Sequence, residues 1–319
     1  MSLTRHAIRL RHLLLTLALG GAAVPVSAET LPLPPTDVDL VGQVRTIHAE
    51  HEDTLLDIAR RYHLGHDEIV IANPDVDRWL PGDGTPVLLP TRYILPDAPR
   101  NGMVLNVPEM RVYFYPPARK DEPRVVKTYP VSVGRMDWAT PLGQAKVASK
   151  QKDPAWRPPQ SIRAEAAARG ETLPEYVPPG PNNPLGQFAL RLNIPGYLIH
   201  GTDKPWGVGM RVTHGCLRMY PEDIEIIYQE VPVGTPVQIV NQPVKVGWFA
   251  GMLYMEVHPP LEEDIAGKTA LMNTALDVVE AALKKRPVPI SGEAINRAVH
   301  EQRGLPVVIS RNDLTVRSR

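Results

Sequence analysis

A single cysteine, Cys216, is the whole thiol content of this 319-residue chain. One thiol closes no internal disulfide and builds no cysteine-cluster zinc site, so both frameworks are excluded. Neither sign of charge is in excess: 35 Lys plus Arg face 35 Asp plus Glu. A nucleic-acid surface ordinarily carries a basic surplus, and none is available here. Aromatic residues are scarce, at 6%. Long apolar runs are missing too. The stretch Leu13–Leu19 falls short of the ~20 residues that span a bilayer, and no other segment is apolar enough to cross one.

What the chain has in quantity is proline, with 35 residues, about twice the ordinary share of roughly 5%. Scattered as they are, these prolines fit edge strands and fixed turns better than a disordered tail. The N-terminus reads as an export signal over residues 1–28. Arg5, His6, Arg9, Arg11 and His12 precede the apolar run, and Val26-Ser27-Ala28 supplies the small residues of a cleavage site. Cleavage leaves a protein outside the cytoplasm with no stable membrane span; an uncleaved anchor is the competing reading. Residues 29–41, with Leu31-Pro32-Leu33-Pro34-Pro35, read as a stiff extended linker.

Residues 42–91 read as a small strand-helix-helix-strand unit. Leu55, Ile58, Ala59 and Tyr62 form a helical apolar stripe that Asp53 can cap, Asp67 can cap a second helix, and Val87-Leu88-Leu89 closes with a strand. Glu52-Asp53-Thr54-Leu55, Ala72-Asn73-Pro74 and Pro81-Gly82 resemble a LysM module. The resemblance implies binding of peptidoglycan glycan; a spacer without glycan affinity is the alternative. From 101 to 241 the texture changes to short strands: Arg111–Tyr115, Val125–Val133, Gln187–Leu192 and Tyr197–Ile199. Pro154–Pro184 interrupts them as a long Pro-rich insertion with one helix near Ser161–Arg169, where Ser161 can cap. Loops of that length are commonly functional flaps. Residues 242–319 form a C-terminal subdomain with strands at Val246–Phe249 and Leu253–Val257. Its helix carries Met272, Ala275, Leu276, Val279 and Leu283 on one face.

The chemistry concentrates between Tyr197 and Met219. A thiol ordinarily titrates near ~8.5 and needs a base or a positive field to become a nucleophile. A histidine commonly serves, held in one tautomer by a third group, and backbone N–H groups make an oxyanion hole. All these parts occur here. His200 ends a strand of buried character, and Thr213-His214-Gly215-Cys216 forms a Gly-containing loop before a helix opened by Pro221-Glu222-Asp223. Two histidines, His200 and His214, compete for the role of base, and the residues alone do not choose between them.

His200-Gly201, a sixteen-residue step to Cys216, and Thr213-His214-Gly215-Cys216 with Arg218 resemble the signature of L,D-transpeptidases of the YkuD type. Thr140-Pro141-Leu142-Gly143, Pro179–Gly186 and Pro232–Val237 resemble its Gram-negative ErfK/YbiS-like subgroup. The resemblance implies an α+β, strand-rich fold: a mixed, sandwich-like sheet domain with the small βααβ unit and a C-terminal helical extension. It also implies Cys216 as nucleophile and His200 as base and acid, oriented by the Gly201 carbonyl. N–H groups of His214, Gly215 and Cys216 would form the oxyanion hole. Arg218, Thr213 and Trp206 would meet substrate; a salt bridge from Arg218 to Glu222 or Asp223, and core packing of Trp206, are the plainer alternatives. No metal or cofactor is implied. The expected partners are peptidoglycan stem peptides and glycan, with an outer-membrane lipoprotein ending in lysine as a further acceptor, and the expected place is the periplasm. A hydrolase on the same scaffold and a non-catalytic wall-binding protein are the competing functions.

Overall fold

The computed structural model describes residues 30–261 and 263–311. The export signal expected over 1–28 lies outside them. Among the described residues no helix is long and apolar enough to cross a membrane.

The first strands belong to no free linker. β1 (Thr30–Pro32) is extended, as the proline-rich stretch predicts, but pairs antiparallel with Val125–Lys127. β2 (Leu40–Gly42) leads into β3 (Arg45–His48), α1 (Leu55–Arg61), α2 (His66–Ala72), β4 (Pro86–Leu89) and β5 (Arg92–Ile94). β3 pairs with β4, and β2 with β5, so the βααβ unit is present. Its caps differ from those expected. Thr54, one residue beyond Asp53, caps α1 in a reciprocal box with Asp57, while Asp53 takes Arg61 as partner at 2.5 Å. Gly65 occupies the cap position of α2, and Asp67 sits in the first turn, bonded to His66. The stripe Leu55, Ile58 and Ala59 closes on Leu64, Ile69, Val87 and Leu89 as a core of its own.

The central region runs β6 (Gly102–Asn106), β7 (Arg111–Tyr115), β8 (Val125–Pro130), β9 (Val133–Gly134), β10 (Gly143–Lys152), α3 (Gln160–Ala168), β11 (Phe188–Leu192), β12 (Leu198–His200), β13 (Arg211–Thr213), β14 (Leu217–Arg218), α4 (Pro221–Glu230) and β15 (Pro236–Val240). The strand expected over Val125–Val133 breaks into β8 and β9. α3 begins at Gln160 after Pro159, so Ser161 lies inside the helix and caps nothing. Nine strands form one mixed sheet in the order β1-β8-β7-β6-β15-β10-β11-β12-β14. Its larger core holds Leu190, Leu192, Ile199 and Leu217 from the strands and Ile224, Ile227 and Val231 from α4 and its end. The fold is therefore strand-rich α+β, as expected.

β16 (Val244–Phe249), β17 (Met252–Val257), α5 (Ile265–Lys285), α6 (Gly292–Glu301) and β18 (Val307–Val308) complete the chain with a third core. Ala275 and Val279 are buried there, whereas Leu276, expected on the same face, is exposed. The three regions are fastened by polar contacts, some buried and some half-exposed. His63 meets Asp223 of α4 at 2.7 Å, and Arg60 grips Glu222 through two bonds of 2.9 and 3.1 Å. At the other side Lys245 links Glu109, Glu256 and the Ile94 carbonyl.

Candidate active site

Sheet register places the site residues. Arg191 pairs with Leu198, and Ala189 with His200, across β11 and β12. β14 runs parallel to β12 with Ile199 opposite Leu217 and His200 opposite Arg218. Side chains alternate along a strand, so Leu190, Ile199 and Leu217 enter the core while their neighbours face the other way. The outward face thus carries two rows: Arg191, Leu198 and Cys216, then Ala189, His200 and Arg218. Cys216 and His200 are diagonal neighbours on that face.

The loop before Cys216 is held by hydroxyls. Thr213 Oγ1 donates to the Cys216 carbonyl at 2.6 Å, and Thr140 Oγ1 donates to the Gly215 carbonyl at 3.2 Å. In a trans peptide a fixed C=O aims the following N–H the opposite way, so Thr140 sets the direction of the Cys216 N–H. Gly215 has φ +95°, and a Cβ there would stand 2.7 Å from the Tyr197 ring. Both conditions require glycine. The N–H groups of His214, Gly215 and Cys216 take no backbone carbonyl among the described residues. Buried or half-buried donors left open in this way are available to an incoming oxyanion.

His200 is 5% exposed and its Nδ1 lies 2.6 Å from the Gly201 carbonyl. A carbonyl only accepts, so Nδ1 carries the proton and Nε2 is the basic nitrogen. Burial, then the Arg218 charge, push the imidazole down to about 4. Burial raises the Cys216 thiol, against the lowering effects of the Leu198 backbone, Arg218 and Arg191. The resting pair is therefore neutral thiol and neutral imidazole, and the thiol proton moves only as the sulfur reacts. Cys216 Sγ meanwhile rests 3.5 Å from the Gly196 carbonyl.

The structure also separates the two histidines. His214 Nε2 is bound to Glu165 Oε2 at 2.8 Å, and its ring stands edge-on to Trp138. Glu165 comes from α3 in the Pro-rich insertion and is held well down, at about 2, by Arg135 and then His214. His214 thus tethers the insertion beside the nucleophile instead of facing the thiol as its base. Arg218 makes no salt bridge to Glu222 or Asp223, which are taken by Arg60 and His63. Its guanidinium has no ion pair among the described residues, and its Nε is buried without a partner. Burial lowers its affinity for a proton, while Asp203 acts on it through space. Trp206 is 60% exposed, which removes the core-packing alternative. Thr213, expected to meet substrate, is buried with its hydroxyl already committed to the loop.

Sequence reasoning missed Thr140 as a loop-holding hydroxyl, Glu165 as the insertion's tether and Arg191 on the site face. Their partners are distant in sequence, and only Thr140 carried a signal, being part of a quoted flanking motif. A metal-like cluster, Glu109, Glu256 and His258, lies among the described residues. Lys245 Nζ sits 2.8 Å from both carboxylates, so an ammonium already fills the place of a cation.

Comparison with known proteins agrees with this geometry. The family described as L,D-transpeptidase catalytic domain matches residues 100–239. Over 299 residues the chain is 36% identical to probable L,D-transpeptidase YcfS of Escherichia coli (strain K12), covering 92% of each. It is 38% identical over 306 residues to probable L,D-transpeptidase ErfK/SrfK of that strain, covering 94% of this chain and 96% of the relative. With probable L,D-transpeptidase YbiS it shares 37% over 300 residues, 91% and 95% of the two chains.

Proposed function

The chain belongs to the L,D-transpeptidase family, and from that premise we propose that it transfers peptidoglycan stem peptides through a thioester on Cys216. In this reading Sγ attacks the carbonyl joining the L-centre of diaminopimelate to the terminal D-alanine of a tetrapeptide stem. The thiol proton passes to His200 Nε2, while the Gly201 carbonyl keeps Nδ1–H in place. The oxyanion is received by the open N–H groups of His214, Gly215 and Cys216. Such donors stabilise charge that develops only in the transition state, and losing one typically costs about 10²–10³ in rate. His200 then returns the proton to the leaving amine, and D-alanine departs. An amine resolves the thioester by the same steps in reverse: a second diaminopimelate gives a cross-link, and a lipoprotein's C-terminal lysine gives a tethered protein.

The observation that carries this reading is the site face itself. The chain's one thiol stands diagonal to a buried, tautomer-fixed histidine, at the end of a loop whose N–H groups are unengaged. Arg218, a cation without an ion pair among the described residues, suits one of the stem's carboxylates. The βααβ unit, docked on α4 through Arg60 and His63, would hold glycan on a fixed orientation to that face, and the export signal would deliver the protein to the periplasm.

The test is product analysis with purified tetrapeptide muropeptides. The wild type should release D-alanine and form amide-linked dimers, and Cys216→Ala should do neither. Release of D-alanine with only trimmed tripeptides favours the hydrolase, until adding a lysine-ended acceptor peptide restores transfer. No release from the wild type contradicts the proposal.

A further inference from the structure

Arg191 pairs with Leu198, and carrying the β12–β14 register one residue back from Leu217 puts Cys216 beyond Leu198 in the same row. Strands lie about 4.8 Å apart, so its Cα is roughly 9–10 Å from the cysteine, within reach of a long side chain extending over Leu198. Arg218 approaches the same sulfur from another side, two residues along β14, or about 6–7 Å of strand. Both guanidinium groups are thus close enough to act on the thiol through space.

The two cations are alike in making no ion pair among the described residues, although Asp203 acts on Arg218 through space. Other arginines around the cleft are engaged: Arg135 and Arg169 hold Glu165, Arg163 holds Glu175, and Arg211 holds Glu263. The Arg191 side chain has no hydrogen bond or ion pair among the described residues and is exposed. Beside it opens a recess of about 30 Å³ lined by Ser149, Gln151, Leu185, Ala189 and Leu198. Both arginines favour the thiolate through space. Two unpaired guanidinium groups near one nucleophile match a donor that brings two carboxylates to either side of its scissile bond. Guanidinium–carboxylate pairing is the strong, geometry-selective contact available to such groups.

Resting on the proposed function, we propose that Arg191 is a second carboxylate-binding residue for the donor stem, reading a different carboxylate from the one Arg218 reads. A donor lacking one of the two would lose its hold on one side of Cys216 and sit askew at the sulfur. Specificity for a multiply anionic stem would then reside in a pair of arginines on different strands.

The experiment measures kcat/KM for release of the terminal residue (D-alanine, or D-alaninamide from the donor amidated there) by the wild type, Arg191→Gln, Arg191→Lys and Arg218→Gln. Donors are the unmodified tetrapeptide and three versions, each amidated at one free carboxylate. On the unmodified donor Arg191→Gln should fall about 10-fold or more, mainly through KM, with Arg191→Lys partly restored. One amidated donor should abolish the Arg191→Gln penalty while leaving that of Arg218→Gln. A different amidated donor should do the converse. An Arg191→Gln enzyme equal to wild type on the unmodified donor overturns the assignment, as does a penalty that persists on all three amidated donors. A wild type that releases no D-alanine sinks the underlying reaction, whereas normal wild-type turnover with either of those results sinks the Arg191 assignment alone.

Discussion

Arg218 and Lys245 are both cations withdrawn from water, yet their surroundings differ in kind. Lys245 is 3% exposed, and its Nζ donates to Ile94 O at 2.7 Å and to Glu109 and Glu256 at 2.8 Å each. Burial alone would lower its pKa, but the two carboxylates raise it instead. Glu256 in turn accepts from the Ile94 N–H and from His258. This junction fastens the first unit, the central sheet and the C-terminal unit together. Arg218 is fixed only through its backbone, which exchanges bonds of 3.1 and 2.8 Å with Ser132. Its guanidinium is left open toward Cys216 and His200. A buried charge whose partners are present holds structure, whereas one without partners waits for a ligand that brings them.

The comparison can be broken most severely at the sulfur. Cys216→Ala should reduce D-alanine release by at least about 10⁴-fold while leaving the thermal midpoint unchanged, because the thiol supports no packing that alanine would lose. His200→Gln should cost about 10²–10⁴ in kcat/KM. The wild-type profile should fall on its acid side with a midpoint near about 4, where the imidazole takes up a proton; the variant should lack that limb. Stability follows the same group with a defined sign. The folded pKa of His200 lies below the unfolded value near ~6.5, so the unfolded chain binds more protons between the two. Wild-type stability should therefore drop as pH falls from about 6.5 toward about 4, and His200→Gln should flatten that slope.

Lys245→Ala inverts the pattern. Two buried carboxylates would be left facing each other, and removing one partner of such a cluster typically costs about 3–5 kcal/mol. Denaturant unfolding should show that loss, while kcat/KM per folded molecule stays unchanged. Arg218→Gln should do the opposite: a loss of about 10- to 100-fold in kcat/KM with a thermal midpoint equal to or above wild type. The smallest effect should come from Glu165→Gln. Its carboxylate lies near the surface, so global stability should hardly move, but hydrogen exchange across Gln160–Ala168 should quicken as the tether to His214 weakens.

How much of this was legible in the sequence follows from the range of each interaction. Local patterns were readable: the stripe Leu55, Ile58 and Ala59 gave α1, Pro221 opened α4, and the strand ending at His200 lies where its apolar residues put it. Cap positions slipped by a residue or two because Asp53 and Asp67 were engaged by Arg61 and His66. The family resemblance, not the spacing itself, implied the Gly201 contact and the open N–H groups at Cys216. It could not foretell that Thr213 spends its hydroxyl on the loop, or that His214 meets Glu165 from 49 residues away. Nor could spacing reveal Arg191 beside Cys216, since that neighbourhood exists only after β11, β12 and β14 have paired. The supposed linker Leu31–Pro35 shows the same limit, being extended as proline requires yet docked as a sheet edge.

The most direct test of the central claim is the intact-protein mass after brief mixing with tetrapeptide stem and no acceptor. The wild type should gain the mass of the stem less D-alanine, with the added mass mapping to the peptide that contains Cys216, and Cys216→Ala should gain nothing. An adduct on another residue, or D-alanine released by the Cys216→Ala protein, would contradict the assignment of this face as the seat of the chemistry.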